Sequence, residues 1–400
     1  MKILVLDGNQ NQAVASVRSL ARAGHTVYAA EAASWCKAAW SRASSGHLRY
    51  PDPRQDSGSF IAAMLGFARR WPGILILPMT ETTTLLLSIH RDSLLSSGAC
   101  LVLPDHSDLV RAFNKEETTQ LARSLGVPIP KTTTVSCLQE ACDLAASIRY
   151  PVVLKPRATG ELSPAGSVRI TGRPRYARNA DQFDAAYRDL AQRSSAILVQ
   201  EFVAGEGTGY FALMHHGELR AEFAHRRIRD VHPTGSGSAV RVSIEPDPEI
   251  RKYSLSILSA LRWHGVAMVE YRKPAGSPPV FMEVNGRFWH SLPLACYAGV
   301  DFPALLARMA EKDDIELHTG YRVGVRCRWL LGDANHVVEV WKGPPIGYPD
   351  PYPPRLRTLL DVLTPVSGTY HDLFQWNDPL PELGDWVNML ARLFGKGLAN

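Results

Sequence analysis

The stretch Phe281-Met282-Glu283-Val284-Asn285-Gly286-Arg287 decides how this chain is read. Its polar residues fall at every second position of an otherwise apolar run. On a strand, alternate side chains leave on one face, so Glu283, Asn285 and Arg287 point the same way. A second apolar run, Val266–Arg272, carries Glu270, and Lys273–Pro279 joins the two runs. A hairpin symmetric about the Gly276–Ser277 bond sets Glu270 opposite Glu283, with cross-strand neighbours about 5 Å apart. Two carboxylates at that distance repel. A hard divalent cation relieves the repulsion, and Glu/Glu/Asn oxygens suit magnesium, which keeps waters and phosphates as its remaining ligands. Arg287 could then hold phosphate oxygens with its planar fork. By itself, E-x-N-x-R also fits a solvated strand face. The apolar neighbours Met268, Val269, Phe281, Met282 and Val284 argue for a face at the edge of a core.

Upstream, Pro151-Val152-Val153-Leu154-Lys155-Pro156 ends a buried strand on a lysine, whose ammonium needs a partner; a nucleotide phosphate would serve. The segment Arg157–Ile170 contains Gly160, Gly166 and several hydroxyl residues. It reads either as a loop over phosphates or as a plain hairpin loop. Gln200-Glu201-Phe202-Val203-Ala204-Gly205-Glu206-Gly207 leaves another apolar strand. It offers an adenine slot at Glu201–Val203 and a ribose carboxylate at Glu206, or an ordinary strand exit. His225-Arg226-Arg227-Ile228-Arg229 is a basic cluster expected to follow a strand. It would bind the carboxylate or phosphate of a second substrate, or form a solvated loop. Arg241 joins Arg226 and Arg227 as a candidate for holding that carboxylate. Thr234–Ser238 is expected to be a loop beside the site, and His290 to line the pocket.

The remainder bounds the class. The 400 residues exceed one ordinary core, so roughly two to four domains or subdomains are expected. A net charge of +5 from 44 basic and 39 acidic side chains fits an anionic small molecule and does not call for nucleic acid. The six cysteines lack zinc or redox spacing and read as reduced cytosolic thiols. No apolar run reaches ~18 residues, so no transmembrane segment is expected. The start, Met1–Gly8, is too short an apolar run for a signal peptide. Strands at 2–6, 26–30, 74–77 and 100–103, with helices between, predict a β/α domain over 1–110. Its first turn, Gly8-Asn9-Gln10-Asn11-Gln12-Ala13, lacks the glycines of a dinucleotide fingerprint, and no Walker A loop is present. A helix to about Leu125, capped by Asn114 with Glu117 three residues on, opens an α+β region with a mostly antiparallel sheet over 111–315. Residues 316–400 form an extension of short helical pieces behind the stiff Pro-rich loop 343–354. Near the end, Trp386, Met389, Leu390, Leu393 and Phe394 share one face of a helix at 381–394, expected to dock on the chain's own domain or a second subunit rather than lie on a membrane.

These residues in this order resemble the ATP-grasp superfamily. The stretches Phe223–Arg229, Trp263–Glu270 and Asn285–Trp289 look closest to the predicted carboxylate–amine ligases related to biotin carboxylase and the carbamoyl phosphate synthase large chain. The resemblance implies an N-terminal pre-ATP-grasp domain and two α+β subdomains clamping ATP, with a small lid subdomain at about 130–203. It implies that Lys115 and Lys155 contact phosphates, that Glu201, Phe202 and Val203 frame the adenine, and that Glu206 meets the ribose. Glu270, Glu283 and Asn285 would hold one or two Mg2+ ions, with Mn2+ as a substitute, and Arg287 and Lys155 would act on the transferred phosphoryl group. The activity implied is an ATP-dependent ligase joining a carboxylate to an amine through an acyl phosphate; a cytoplasmic protein, as a homodimer, is the accompanying expectation. A bicarbonate-using carboxylase and a nucleotide sensor are the competing readings. The run Arg157–Pro164 departs from a clean Gly/Ser loop, and loop 157–168 or 231–239 is expected to close as a lid.

Overall fold

The structure is a computed structural model and describes residues 1–157, 160–162, 168–170 and 172–393. Most of the expected phosphate-loop and lid segment 157–168 lies outside the described residues, as does Phe394 of the terminal apolar face.

The N-terminal region alternates strand and helix. It runs β1 (Lys2–Val5), α1 (Asn11–Arg22), β2 (Thr26–Glu31), β3 (Gly46–Arg49), α2 (Ser57–Arg70), β4 (Ile74–Leu77), α3 (Glu81–Ile89), α4 (Arg91–Ser96) and β5 (Ala99–Cys100). The strands pair in parallel in the order β3-β2-β1-β4-β5. Both faces are covered, which is why Ile74–Leu77 is apolar at every position. At the end of β1, Asp7 accepts from Met79 N–H, the Thr83 hydroxyl and the Tyr50 hydroxyl. Gly8 beside it leaves room for Cys36: a Cβ there would lie 2.1 Å from the Cys36 sulfur.

The expected helix capped by Asn114 is α6 (Lys115–Ser124), and a separate helix, α5 (His106–Phe113), precedes it. Asn114 causes the break, because an N-cap needs a non-helical backbone. Its side chain accepts from Glu116 and Glu117 N–H, and its amide donates to the Glu117 carboxylate at 2.7 Å. That reciprocal cap makes Lys115 the first helical residue.

The subdomain expected to act as a lid comprises β6 (Thr132–Val135), α7 (Leu138–Ser147), β7 (Val152–Pro156), β8 (Gly160–Leu162), β9 (Val168–Ile170), β10 (Arg175–Ala177), α8 (Ala180–Ala191) and β11 (Ile197–Glu201). Its main sheet, β10-β7-β11-β6, is antiparallel and packs its own core of Val152, Leu154, Phe183, Leu190 and Ile197 among others. A seven-stranded sheet faces it. That sheet is built from β12 (Glu206–His215), β13 (Glu218–His232), β14 (Ser236–Ile244), β15 (Gly265–Lys273) and β16 (Val280–Asn285), with α9 (Pro248–Ala260) between β14 and β15. After α10 (Leu292–Ala298) and α11 (Phe302–Lys312), the tail adds β17 (Arg326–Arg328), α12 (Leu330–Lys342), α13 (Arg355–Leu363), β18 (Thr369–His371) and α14 (Leu380–Leu393). The order is β16-β15-β12-β13-β14-β17-β18, antiparallel except for the β17–β18 pair. Helix α1 and helices α10 and α11 share one core with the large sheet, so the N-terminal region and the sheet are packed as one body.

Four sequence expectations are corrected here. The basic cluster 225–229 does not follow a strand; it lies inside β13, whose alternation continues through charged residues with irregularities at Arg227–Asp230. Thr234–Ser238 is a tight turn and the start of β14 rather than a loose loop, so the candidate lid 231–239 is a strand hairpin. The tail is not a string of helices but supplies two strands to the central sheet. A seam of buried ion pairs ties it in. Arg241 and Asp372 pair with no exposure at all, Lys37 meets Asp385 at 2.6 Å, and Arg18 meets Asp378 at 2.8 Å. Arg229 and Arg328 both grip Asp333. Arg241 is thereby removed from the candidates for binding a substrate carboxylate, because its guanidinium is sealed against Asp372 and the Ser238 carbonyl. Helix α14 docks on residues 37–40 through Gly384 and Asp385, on its polar side, while Leu383 and Leu390 of the apolar side stay exposed.

Candidate functional site

A cleft of about 360 Å³ lies between the lid sheet and the large sheet. The β15–β16 hairpin forms its floor. Glu270 pairs with Glu283 and Met268 with Asn285, in the register a symmetric turn requires. A bulge between Glu270 and Tyr271 shifts only the turn-side half of the ladder. The carboxylates are not unpaired, as repulsion alone would suggest. Arg227 on β13 donates to Glu270 at 2.6 Å, and Lys115 at the start of α6 lies 3.3 Å from Glu283. Asn285 donates to Glu283 at 3.1 Å and its oxygen accepts from Arg287 at 3.3 Å; Arg287 also lies 3.8 Å from Glu81 of α3. Burial opposes charge on Glu283, but the Lys115 and Lys155 ammonium groups outweigh it and hold the carboxyl low.

Lys155, at the end of β7, reaches the same cleft from the lid. It forms no ion pair among the described residues. Burial, then the neighbouring Lys115 charge, bring its amine down to about 8. Among the described residues, the cleft wall carries five cationic side chains (Lys115, Lys155, Arg227, Arg272, Arg287) and three anionic ones (Glu201, Glu270, Glu283). A polyphosphate with a magnesium ion fits that set: oxygen donors on adjacent strands suit the ion, and an unmatched lysine suits the phosphates.

At the lid end, Glu201, Phe202 and Val203 line the cleft beside Pro130, Val153 and Tyr176. The Glu201 and Phe202 N–H groups donate to Lys131 and Pro151 carbonyls, whereas Val203 N–H has no backbone acceptor among the described residues. Sequence reasoning missed what closes this end. The Pro-rich loop packs Tyr348 against both Tyr176 and Phe202, with ring centroids 5.0 and 6.0 Å away. The Tyr348 hydroxyl donates to the Pro233 carbonyl in the β13–β14 turn. Gly347 permits the approach; a Cβ there would lie 2.4 Å from the Tyr176 carbonyl oxygen.

Glu206 and Arg226 are not in the cleft wall. They lie 3.9 Å apart on the outer side, with side chains 61% and 47% exposed. The strand alternation that sends Arg227 inward sends Arg226 out. Glu206 faces it because Thr208 pairs with Arg226 across the ladder.

The far end of the cleft is walled by His225, Ser238, Trp289, His290 and Ser291. His225 Nε2 meets the Ser291 hydroxyl at 2.7 Å. Five further side-chain atoms there, His225 Nδ1, Ser238 Oγ, Trp289 Nε1, His290 Nδ1 and Arg227 Nε, are buried without a hydrogen-bond partner among the described residues. Orphaned buried polar groups are costly, and a bound ligand would satisfy them. Burial pushes His225 well below the usual imidazole range and His290 to about 4, so both rings are neutral near pH 7.

Residues 193–331 match the family described as "ATP-grasp in the biosynthetic pathway with Ter operon". A D-alanine–D-alanine ligase of Ectopseudomonas mendocina is 25% identical over 217 residues, covering 49% of this chain and 63% of that protein, so the chain spans less than two thirds of that relative's length. The biotin carboxylase domain of Hydrogenobacter thermophilus 2-oxoglutarate carboxylase, solved with MgADP and bicarbonate, superposes with a TM-score of 0.64 at 17% identity, over 81% of this chain and 73% of that one. The L-amino acid ligase of Bacillus licheniformis gives 0.60 at 15% identity, over 79% and 75%. No described helix is long and apolar enough to cross a membrane. The two-sheet clamp around an oxygen-donor and lysine-lined cleft, the matched segment and these likenesses together show an ATP-grasp fold.

Proposed function

We propose that this chain is an ATP-dependent ligase that activates a small-molecule carboxylate as an acyl phosphate and joins it to an amine. The observation that carries the reading is the Glu270–Glu283 ladder pair facing the unmatched Lys155 across one cleft. Glu270, Glu283 and Asn285 would hold Mg2+, which when bound screens the charge on phosphoryl oxygens. Lys115 and Lys155 steady the polyphosphate from the two sides of the clamp. The backbone at Glu201–Val203, with Phe202 and Tyr176, offers the adenine a free N–H and an apolar slot. Arg287, held by the Phe288 carbonyl and Asn285, stands beside the donor set to orient the transferred phosphoryl.

The carboxylate oxygen attacks the γ-phosphorus, ADP leaves, the amine attacks the acyl carbon and phosphate departs. The acceptor enters at the His225–Ser291 end. Its wall is built of neutral donors and acceptors with one guanidinium edge, Arg227 Nε, which suits a polar carboxylate-bearing metabolite. Arg227 serves there from its place on Glu270; Arg226 and Glu206, turned outward, are left out of the site. The compartment proposed is the cytoplasm, where ATP is at hand and all six cysteines, free in the structure, stay reduced. A homodimer is part of the same proposal and is read by sedimentation.

The test is ADP release across a panel of acids and amines, with amide products read by mass spectrometry, for the wild type and Glu283→Gln. Acid- and amine-dependent ADP release that Glu283→Gln abolishes is expected. Full turnover by that variant with the correct pair would remove the metal assignment, and ATP binding without any substrate-dependent ADP release would make the protein a nucleotide sensor.

A further inference from the structure

At the other end of β12, three histidines converge. His215 is the last residue of that strand, His216 lies in the turn to β13, and His264 immediately precedes β15. The ladder explains the meeting. Met214 pairs with Gly265, so the next residues along, His215 and His264, face each other, and the turn folds His216 onto His264. The rings of His216 and His264 lie 4.2 Å apart, and those of His215 and His264 5.4 Å apart. One ring nitrogen from each residue falls within 4.8 Å of the other two. Gly265 holds this corner against the N-terminal region, with its Cα close enough to Val102 that a Cβ would lie 2.9 Å from the Val102 carbonyl oxygen.

Two further observations point to a ligand. His215 Nε2 and His264 Nδ1 are buried without a hydrogen-bond partner. Behind His215, the opposite nitrogen Nδ1 lies 3.5 Å from the Asp314 carboxylate. Asp314 is fixed in turn by Arg220, whose guanidinium donates to both carboxylate oxygens at 2.6 and 2.7 Å. A carboxylate on one imidazole nitrogen sets the tautomer that leaves the other nitrogen free as a ligand, the outer-shell arrangement of histidine metal sites.

We propose that His215, His216 and His264 form a binding site for a transition-metal ion of the zinc type, separate from the magnesium site of the cleft. Three imidazoles suit Zn2+, Co2+, Ni2+ or Cu2+ and do not suit Mg2+, which takes oxygen ligands. Tetrahedral nitrogens at about 2.0–2.1 Å from zinc stand roughly 3.4 Å apart, so the set closes by a small movement of the exposed His216. The fourth position faces solvent and takes water. The site lies roughly 20 Å along β12 from Gly209, the residue opposite Glu270, at about 3.3 Å per residue. Its place makes it a clip between the β12–β13 turn, the start of β15 and the segment that follows α11.

The test uses untagged full-length protein stripped with a chelator and titrated with Co2+ and Zn2+. One equivalent of Co2+ should bind with the visible absorption of a four-coordinate nitrogen site, be displaced by Zn2+, and raise the thermal midpoint. His216→Asn keeps a residue that tolerates the left-handed backbone of position 216 (φ 47°) and should weaken binding at least tenfold. Asp314→Asn should weaken it about 10- to 100-fold without removing a ligand. Binding of Mg-ATP should be unchanged in both. No cobalt spectrum at saturating Co2+, or the same affinity in His216→Asn as in the wild type, overturns the site.

Discussion

The chain buries charge in two places, and it treats the two differently. In the seam under the large sheet, each cation is matched to its own carboxylate: Arg241 to Asp372, Lys37 to Asp385, Arg18 to Asp378. These groups are almost wholly out of solvent, and further donors go to the Ser238 carbonyl, Asn11 and the Asp378 carbonyl, with Arg18 Nη1 and Arg241 Nε the buried nitrogens left over. In the cleft the matching is incomplete. Lys155 has no ion-pair partner among the described residues, and five orphaned polar atoms point at the far end. Charges satisfied within the chain hold segments together, and charges left over wait for something from outside. Residue type alone does not separate these roles, since both sets are arginines, lysines and acids in or beside the same sheet.

That contrast breaks first at Arg241. Arg241→Met should strand Asp372 in the interior and cost about 3–5 kcal/mol, read as a shift of the denaturant midpoint with little change in the Kd for ATP in the protein that remains folded. The double variant Arg241→Met/Asp372→Leu should recover most of the loss. A single variant as stable as the wild type would mean that the seam is not what fastens the tail to the sheet.

Glu283→Gln is the mirror experiment. Turnover should fall roughly 10²- to 10³-fold, as when one group stabilising transition-state charge is removed, while unfolding moves by no more than about 1 kcal/mol because the Lys115–Glu283 pair is partly solvated. A collapse of stability comparable to that of Arg241→Met would class Glu283 with the seam.

Lys155 sharpens the comparison through pH. Its amine is lowered from 10.5 to about 8 in the free protein, chiefly by burial. Between about pH 8 and 10.5 the unfolded chain therefore binds the proton that the folded chain has lost, and this group makes stability rise with pH across that window. Nucleotide binding needs the charged form, so affinity should fall as pH rises above about 8, approaching tenfold per pH unit. Lys155→Met should flatten both trends and leave the free protein slightly more stable. Calorimetry of ATP binding at several pH values checks the first, and thermal midpoints over the same range check the second.

How far the sequence could be read follows the same division. The hairpin register was legible because two apolar runs and a short linker leave few ways to pair, and the alternation then brings Glu283, Asn285 and Arg287 to one face. Lys115 entered through the family resemblance, while the Asn114–Glu117 cap announced where its helix begins. The seam was not: Lys37, Asp372, Asp378 and Asp385 are isolated charges that only the folded tail brings to their partners. The three histidines at 215, 216 and 264 escaped for the same reason, because local metal spacings do not detect a pair joined across a ladder. Tyr348 sits in a proline run whose composition says stiff and nothing about where it docks.

Arg226 and Arg227 offer the finest version of the comparison, being adjacent in sequence and opposite in role. A basic cluster read as a unit gives both the same function. The pleat separates them: Arg227 has an 8% exposed side chain and a 2.6 Å bond to Glu270, and Arg226 has a 47% exposed one and a 3.9 Å approach to Glu206. Arg226→Ala should change stability by less than about 0.5 kcal/mol, the usual worth of a loose exposed pair, and turnover by less than a factor of two. Its steady-state constants should match the wild type with every acid and amine tested. A rise in the KM of the carboxylate substrate alone would show that the outer face of β13 reaches the acceptor after all, and would move the boundary of the site by one residue.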